Sequence, residues 1–147
     1  MGMHANGWLA NALASLDGGQ DIVLVTVTAT KGSSPRDHGS HMLVTKADIW
    51  QTIGGGALEF DVMARARKML ASDDDDWQRQ RMNVILGPDM GQCCGGQMSL
   101  LLEKFTAKQA GALAALAQED HHDQMLVHPL ESGAPLTLQS AQSPFDE

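Results

Sequence analysis

The run "DIVLVTVTATKG", residues 21–32, constrains the fold more than any other stretch of the chain. Val25, Val27 and Ala29 alternate with Thr26, Thr28 and Thr30. A period of two carried by β-branched side chains specifies a half-buried strand, apolar on one side and hydroxyl-bearing on the other. Shorter strands are expected in "HMLVT" and "IWQTI", and longer ones in "RMNVILG" and "QMSLLLEKF". A closing hairpin pair is expected in "DQMLVHPLE" and "PLTLQ".

Three segments change period to that of a helix. In "NGWLANALASL", Trp8, Leu9, Ala12, Leu13 and Leu16 share one face, and Gly18-Gly19 ends the segment. In "GGGALEFDVMARARKMLAS" the buried stripe is Leu58, Val62, Ala66, Met69 and Leu70. The third, "TAKQAGALAALAQED", is capped by Thr106. Strands interleaved with about three helices predict one α/β domain, with α+β as its variant, built on a mixed sheet over residues 1–140. Residues 141–147, inside "SAQSPFDE", read as a tail or the start of a linker.

Charge narrows the partners. The formal net charge of −8 excludes a nucleic-acid footprint, which needs a surplus of Lys and Arg on one face. Asp73 to Asp76 read as a solvated loop after the second helix. No apolar run is long enough for a membrane helix, and no leader pattern opens the chain, so the expected compartment is the cytoplasm. The two cysteines, Cys93 and Cys94, are neighbours, where a disulfide would be strained, and they are expected to be free thiols.

Three loops combine glycine with polar or reactive groups. In "KGSSPRDHG", Ser33 and Ser34 offer hydroxyls and Arg36 a planar fork suited to phosphate or carboxylate. In "TIGGGALE", Gly54, Gly55 and Gly56 precede a helix, so backbone N–H groups can approach an anion at the positive helix end. The spacing is neither a Walker loop nor a dinucleotide fingerprint. Glu59, in the first helical turn, complements the dipole but would repel a phosphate. In "LGPDMGQCCGGQ", Cys93 and Cys94 are flanked by Gly91, Gly95 and Gly96, an accessible setting for a thiolate and a soft metal. Each loop also has a plain reading as a tight surface turn. A zinc site using His38 and His41 would lack the usual ligand spacing, and His121-His122 reads as an exposed acidic turn.

Taken together, "SSPRDHGSHMLV", "TIGGGALEFDVMARAR" and "LGPDMGQCCGGQMSLLLE" resemble the N-terminal domain of the xanthine dehydrogenase accessory protein family (XdhC/CoxI-like), in the family's order across residues 26–103. The resemblance implies a chaperone, not an enzyme. Such a protein binds the molybdenum cofactor (molybdopterin) as cargo, holds it through sulfuration, and assists its insertion into xanthine dehydrogenase. Implied partners are the molybdenum subunit of that enzyme and a cysteine desulfurase or other sulfurating enzyme. Implied cofactor-binding residues are Ser34, Arg36, Gly54, Gly55, Gly56, Glu59, Gln92, Cys93, Cys94, Gly95 and Gly96, with Cys94 or Cys93 reaching the molybdenum. Family members usually continue into a Rossmann-like domain, and residues 1–147 contain no strand–GxGxxG–helix unit. Two other readings fit the thiols: a cysteine-dependent sulfurtransferase or thiol-redox protein, and a non-catalytic dimerisation or docking module. Nine Met and the long Leu/Val strands point to self-association at a strand edge or soft apolar patch.

Overall fold

Each change of sequence period becomes one element in the computed structural model, which describes residues 7–31, 40–51, 56–85, 96–118 and 124–140. The order is α1 (Gly7–Asp17), β1 (Ile22–Lys31), β2 (His41–Val44), β3 (Ile49–Trp50), α2 (Gly56–Leu70), β4 (Arg79–Ile85), β5 (Gln97–Phe105), α3 (Ala107–Gln118), β6 (Gln124–Val127) and β7 (Thr137–Ser140). Five strands form one sheet in the order β3-β2-β1-β5-β4, and β6 pairs with β7 in a separate hairpin. Helices and sheet build one α/β unit, as expected. Every pairing is antiparallel, which is the α+β variant of that class rather than a sheet of mixed direction.

The expectation of a half-buried β1 is corrected by this order. As the central strand, β1 is buried on both faces from Ile22 to Val27, and exposure begins only at Thr28. Val23, Val25 and Val27 join Met42, Val44, Met98, Leu100 and Leu102 beneath α2, whose Leu58, Val62, Ala66 and Met69 supply the other half of that core. Ile22 and Leu24 face the opposite way, into a second core with Trp8, Leu9, Ala12 and Leu16 of α1, Phe105, and Leu113 of α3. The alternating threonines suggested a wet face, but Thr26 is buried.

Local chemistry fixes the ends. Gly19 adopts φ +86°, and Gly19 N–H and Gln20 N–H donate to the carbonyls of Leu16 and Ser15, closing α1 with a left-handed residue. Thr106 caps α3: its Oγ1 accepts from Lys108 N–H at 3.1 Å, while Gln109 Oε1 accepts from Thr106 N–H at 2.8 Å. This is a reciprocal capping box. The Asp73–Asp76 run is exposed, as expected, yet its backbone is tied down. Lys104 Nζ donates to the carbonyls of Ser72 and Asp74 at 2.6 and 3.0 Å, and Gln109 Nε2 donates to that of Asp75 at 2.6 Å.

Leu102 is fully buried in the core under α2, and its truncation leaves a cavity between sheet and helix. Leu102→Ala is expected to cost about 3 kcal/mol. Ile85→Ala, at a position 71% exposed, is expected to stay within about 0.5 kcal/mol. Urea denaturation of both variants checks the contrast, and equal losses would contradict this placement of the core.

Candidate functional site

Register places the flanks of the first and third glycine loops at one end of the five-stranded sheet. Lys31, the last residue of β1, pairs with Gln97, the first of β5, and Ile85, the last of β4, pairs with the same Gln97. The loop after β1 and the loop joining β4 to β5 therefore leave side by side. Strand β3 runs antiparallel to β2, with Leu43 opposite Trp50, so its exit points toward the same end. Helix α2 fits this direction: Arg67 Nε, near its C-terminus, donates to Thr45 O beyond the far end of β2 at 3.2 Å. Its N-terminal turn then lies toward the loop end.

That end is stepped. His41 starts β2 opposite Thr26, whereas β1 and β5 continue together to the Lys31–Gln97 pair. The five extra residues carry the β1–β5 ribbon about 16 Å past the start of β2. A register shift lies between Val27 and Ala29, where exposure begins on β1, and Thr28 there donates its hydroxyl to Ser99 O at 3.1 Å. Bulges of this kind increase twist and redirect the ribbon.

Of the expected site residues, Gly56 begins α2, Glu59 sits half-buried in its first turn, and Gly96 is buried immediately before β5. Glu59 is not without an interaction partner. Ser34, Arg36, Gly54, Gly55, Gln92, Cys93, Cys94 and Gly95 lie outside the described residues, as do His38, His121 and His122. Among the described residues, no group of three or more His, Cys, Asp or Glu is placed to hold a metal ion. No described helix is long and apolar enough to cross a membrane.

Two features escaped sequence reasoning. Phe60 in the first turn of α2 and Ile85 at the end of β4 are 73% and 71% exposed, the two most exposed large apolar side chains described. Both belong to the loop end. An apolar residue in a helical or alternating pattern carries no sign of exposure until its neighbours are known. The second feature is a buried charge cluster on the α1/α3 face. Glu103 accepts from Arg79 Nε at 2.8 Å through one oxygen and meets His128 Nδ1 at 2.7 Å through the other. Trp8 stacks on Phe105 at 5.8 Å and leans against His41 and His128 at 6.2 and 5.8 Å. The only linear signal was Glu103 inside "QMSLLLEKF"; Arg79 lies two residues before the expected strand "RMNVILG".

His41 leads out of the first glycine loop into β2, packed against Trp8. Its pKa is lowered from 6.5 to about 4, first by burial, then by the nearby His128, with Glu103 opposing. Between those values the folded chain binds fewer protons at His41 than the unfolded chain. This contribution to stability is complete above pH 6.5 and is lost as pH falls toward 4. A shift of this size amounts to about 3 kcal/mol. His41→Phe, which keeps a ring against Trp8, is expected to flatten the rise of urea midpoint with pH across that window. An unchanged slope would assign the acid sensitivity to other groups.

Comparison with known proteins adds the relationship that geometry alone does not carry. Residues 15–80 match the XdhC and CoxI family model. A crystal structure of a xanthine dehydrogenase from Bacillus halodurans superposes with a TM-score of 0.63 at 27% identity, covering 76% of this chain and 33% of that one. The chain thus spans about a third of the length of that protein. No curated protein sequence matches it.

Proposed function

We propose that this chain, which carries an XdhC and CoxI family domain over residues 15–80, is a chaperone that holds the molybdenum cofactor for sulfuration and insertion into xanthine dehydrogenase. The observation that carries the reading is the shared origin of the first and third glycine loops: their flanks at Lys31, Ile85 and Gln97 meet at one end of the sheet, the end toward which β3 also runs. The cargo is an anionic pterin phosphate whose dithiolene carries a molybdenum oxo centre. Gly54, Gly55 and Gly56 would offer backbone N–H groups at the α2 N-terminus, with Ser34 and Arg36 as further partners for phosphate or oxo oxygens. Cys94 or Cys93, between Gln92 and Gly95-Gly96, would supply a thiolate to molybdenum, a soft ligand that a client site can displace. In this reading the chain turns nothing over; it binds, shields and releases, and it works in the cytoplasm.

Docking of partners belongs to the same end. Phe60 and Ile85 flank it as exposed apolar side chains, a surface suited to the molybdenum subunit of xanthine dehydrogenase or to a sulfurating enzyme such as a cysteine desulfurase. Self-association is part of the reading as well, because β3 and β4 are the edges of the sheet. Sedimentation is expected to show a species of twice the 15.7 kDa chain mass; only the single mass over a wide concentration range would refute this.

The carrier reading is tested by co-expressing the chain with cofactor biosynthesis and assaying bound molybdenum and pterin. Cys93→Ala with Cys94→Ala is expected to lower retention at least ~10-fold while costing no more than about 1 kcal/mol of stability, since turn cysteines contribute little core area. Gly55→Val is expected to weaken retention through the backbone, by blocking close approach. A folded double variant that keeps as much cofactor as the parent would overturn the assignment of the thiols.

A further inference from the structure

We propose that the β6–β7 hairpin is a strap that detaches from the sheet as a unit, released when water hydrates the Arg79–Glu103–His128 cluster, while the five-stranded sheet stays folded. Strands β6 and β7 pair with each other and belong to a sheet of their own. A two-stranded hairpin is marginal by itself, so its order depends on what fastens it to the rest of the chain.

Those fastenings are mainly polar and converge on one residue. Arg79 Nη1 donates to Glu131 O at 2.7 Å and also to Ala134 O. Arg79 N–H donates to Ser132 Oγ at 2.9 Å, and that hydroxyl donates back to Arg79 O at 3.3 Å. Gly133 N–H donates to Trp77 O at 3.2 Å, and His128 meets Glu103. The apolar share is smaller: Leu136 is buried and Leu126 partly so.

The chemistry of these contacts sets the mode of release. The Arg79 and Glu103 side chains are 0% and 1% exposed, and the strap supplies the carbonyls and the imidazole that surround them. Burying such ions costs hydration that the pairing only partly restores. When the strap lifts, both ions regain water and still face each other across β4 and β5, so opening strands no buried charge. A strap held by leucines alone would have no such compensation. The sheet loses little, because its cores close around β1, β2, β5 and the helices.

Opening also changes an edge. Gln78 O accepts from Lys104 N–H on the β5 side, so the backbone of Arg79 points the other way, where Ser132 satisfies both its N–H and its C=O. The strap covers the first outward-facing residue of edge strand β4. Release makes that residue available for strand addition next to Arg81 and Asn83.

Hydrogen exchange followed by mass spectrometry tests the strap on the full chain. Amides of 124–140 are expected to exchange at least ~100-fold faster than those of β1 and β5. Glu103→Gln should accelerate the strap by about another 10-fold and leave β1 and β5 unchanged. Ser132→Ala, at an exposed position, should accelerate it by a smaller factor and carries the test if Glu103→Gln fails to fold. Arg79→Met combined with Glu103→Leu should slow strap exchange, since an apolar pair removes the gain from hydration. A single common rate for strap and sheet amides in the parent, or equal acceleration of both by Ser132→Ala, would overturn the proposal.

Discussion

The β1–β5 ladder is the constraint from which the remaining structure follows. It runs from Ile22–Phe105 to Lys31–Gln97, longer than any other pairing in the sheet. One half is buried on both faces, so a slip by one residue would exchange the side chains facing α2 with those facing α1 and α3. The cost is high because the two sets differ in shape: Val23, Val25 and Val27 meet one helix, whereas Ile22 and Leu24 meet the Trp8–Phe105 stack. Fixing this register also fixes where the chain exits. The ladder ends at the pair whose flanking segments are the first glycine loop and the cysteine loop.

The ladder is stable at one end and exposed at the other. Toward Ile22 it lies between helices, with Lys104 and Gln109 holding the carbonyls of the acidic turn. Beyond the register shift at Val27, Thr28, Ala29 and Gln97 are exposed, while Met98 still reaches the core under α2. The carrier reading proposed above would place its cargo at the end where the ladder runs past the start of β2.

Much of the fold was legible in the sequence because periodicity and end signals agreed. The helix stripe Leu58, Val62, Ala66 and Met69 is buried as its spacing required, and Thr106 caps α3 with Gln109 as partner. β5 covers the same residues as the run "QMSLLLEKF". What the sequence concealed was pairwise. The burial of both faces of β1 depends on its central position, which strand order decides and composition does not. The Arg79–Glu103 pair joins positions 24 residues apart through a register known only once β4 and β5 are aligned, and His128, just after β6, reaches the same carboxylate. The candidate site was legible as chemistry, in glycines and thiols. The sheet adds the meeting of the first and third loops' flanks at one end, while most of those residues lie outside the described ones.

The placement of buried charge bears on this division of labour. Arg79 and Glu103 sit toward the far end of the sheet, away from the glycine loops, and an apolar pair of similar volume there would commonly be as stable or more so. Stability alone therefore does not explain an ion pair at this position. Geometry offers a reason: a guanidinium can hold a carboxylate on its own sheet through one nitrogen and the carbonyls of a neighbouring segment through another, a directional link that leucines cannot make. Such a link sets the orientation of the hairpin without welding it to the core. The same chain can then present a rigid ladder, loops at one end of it, and a C-terminal segment tied at the other by contacts that water can replace.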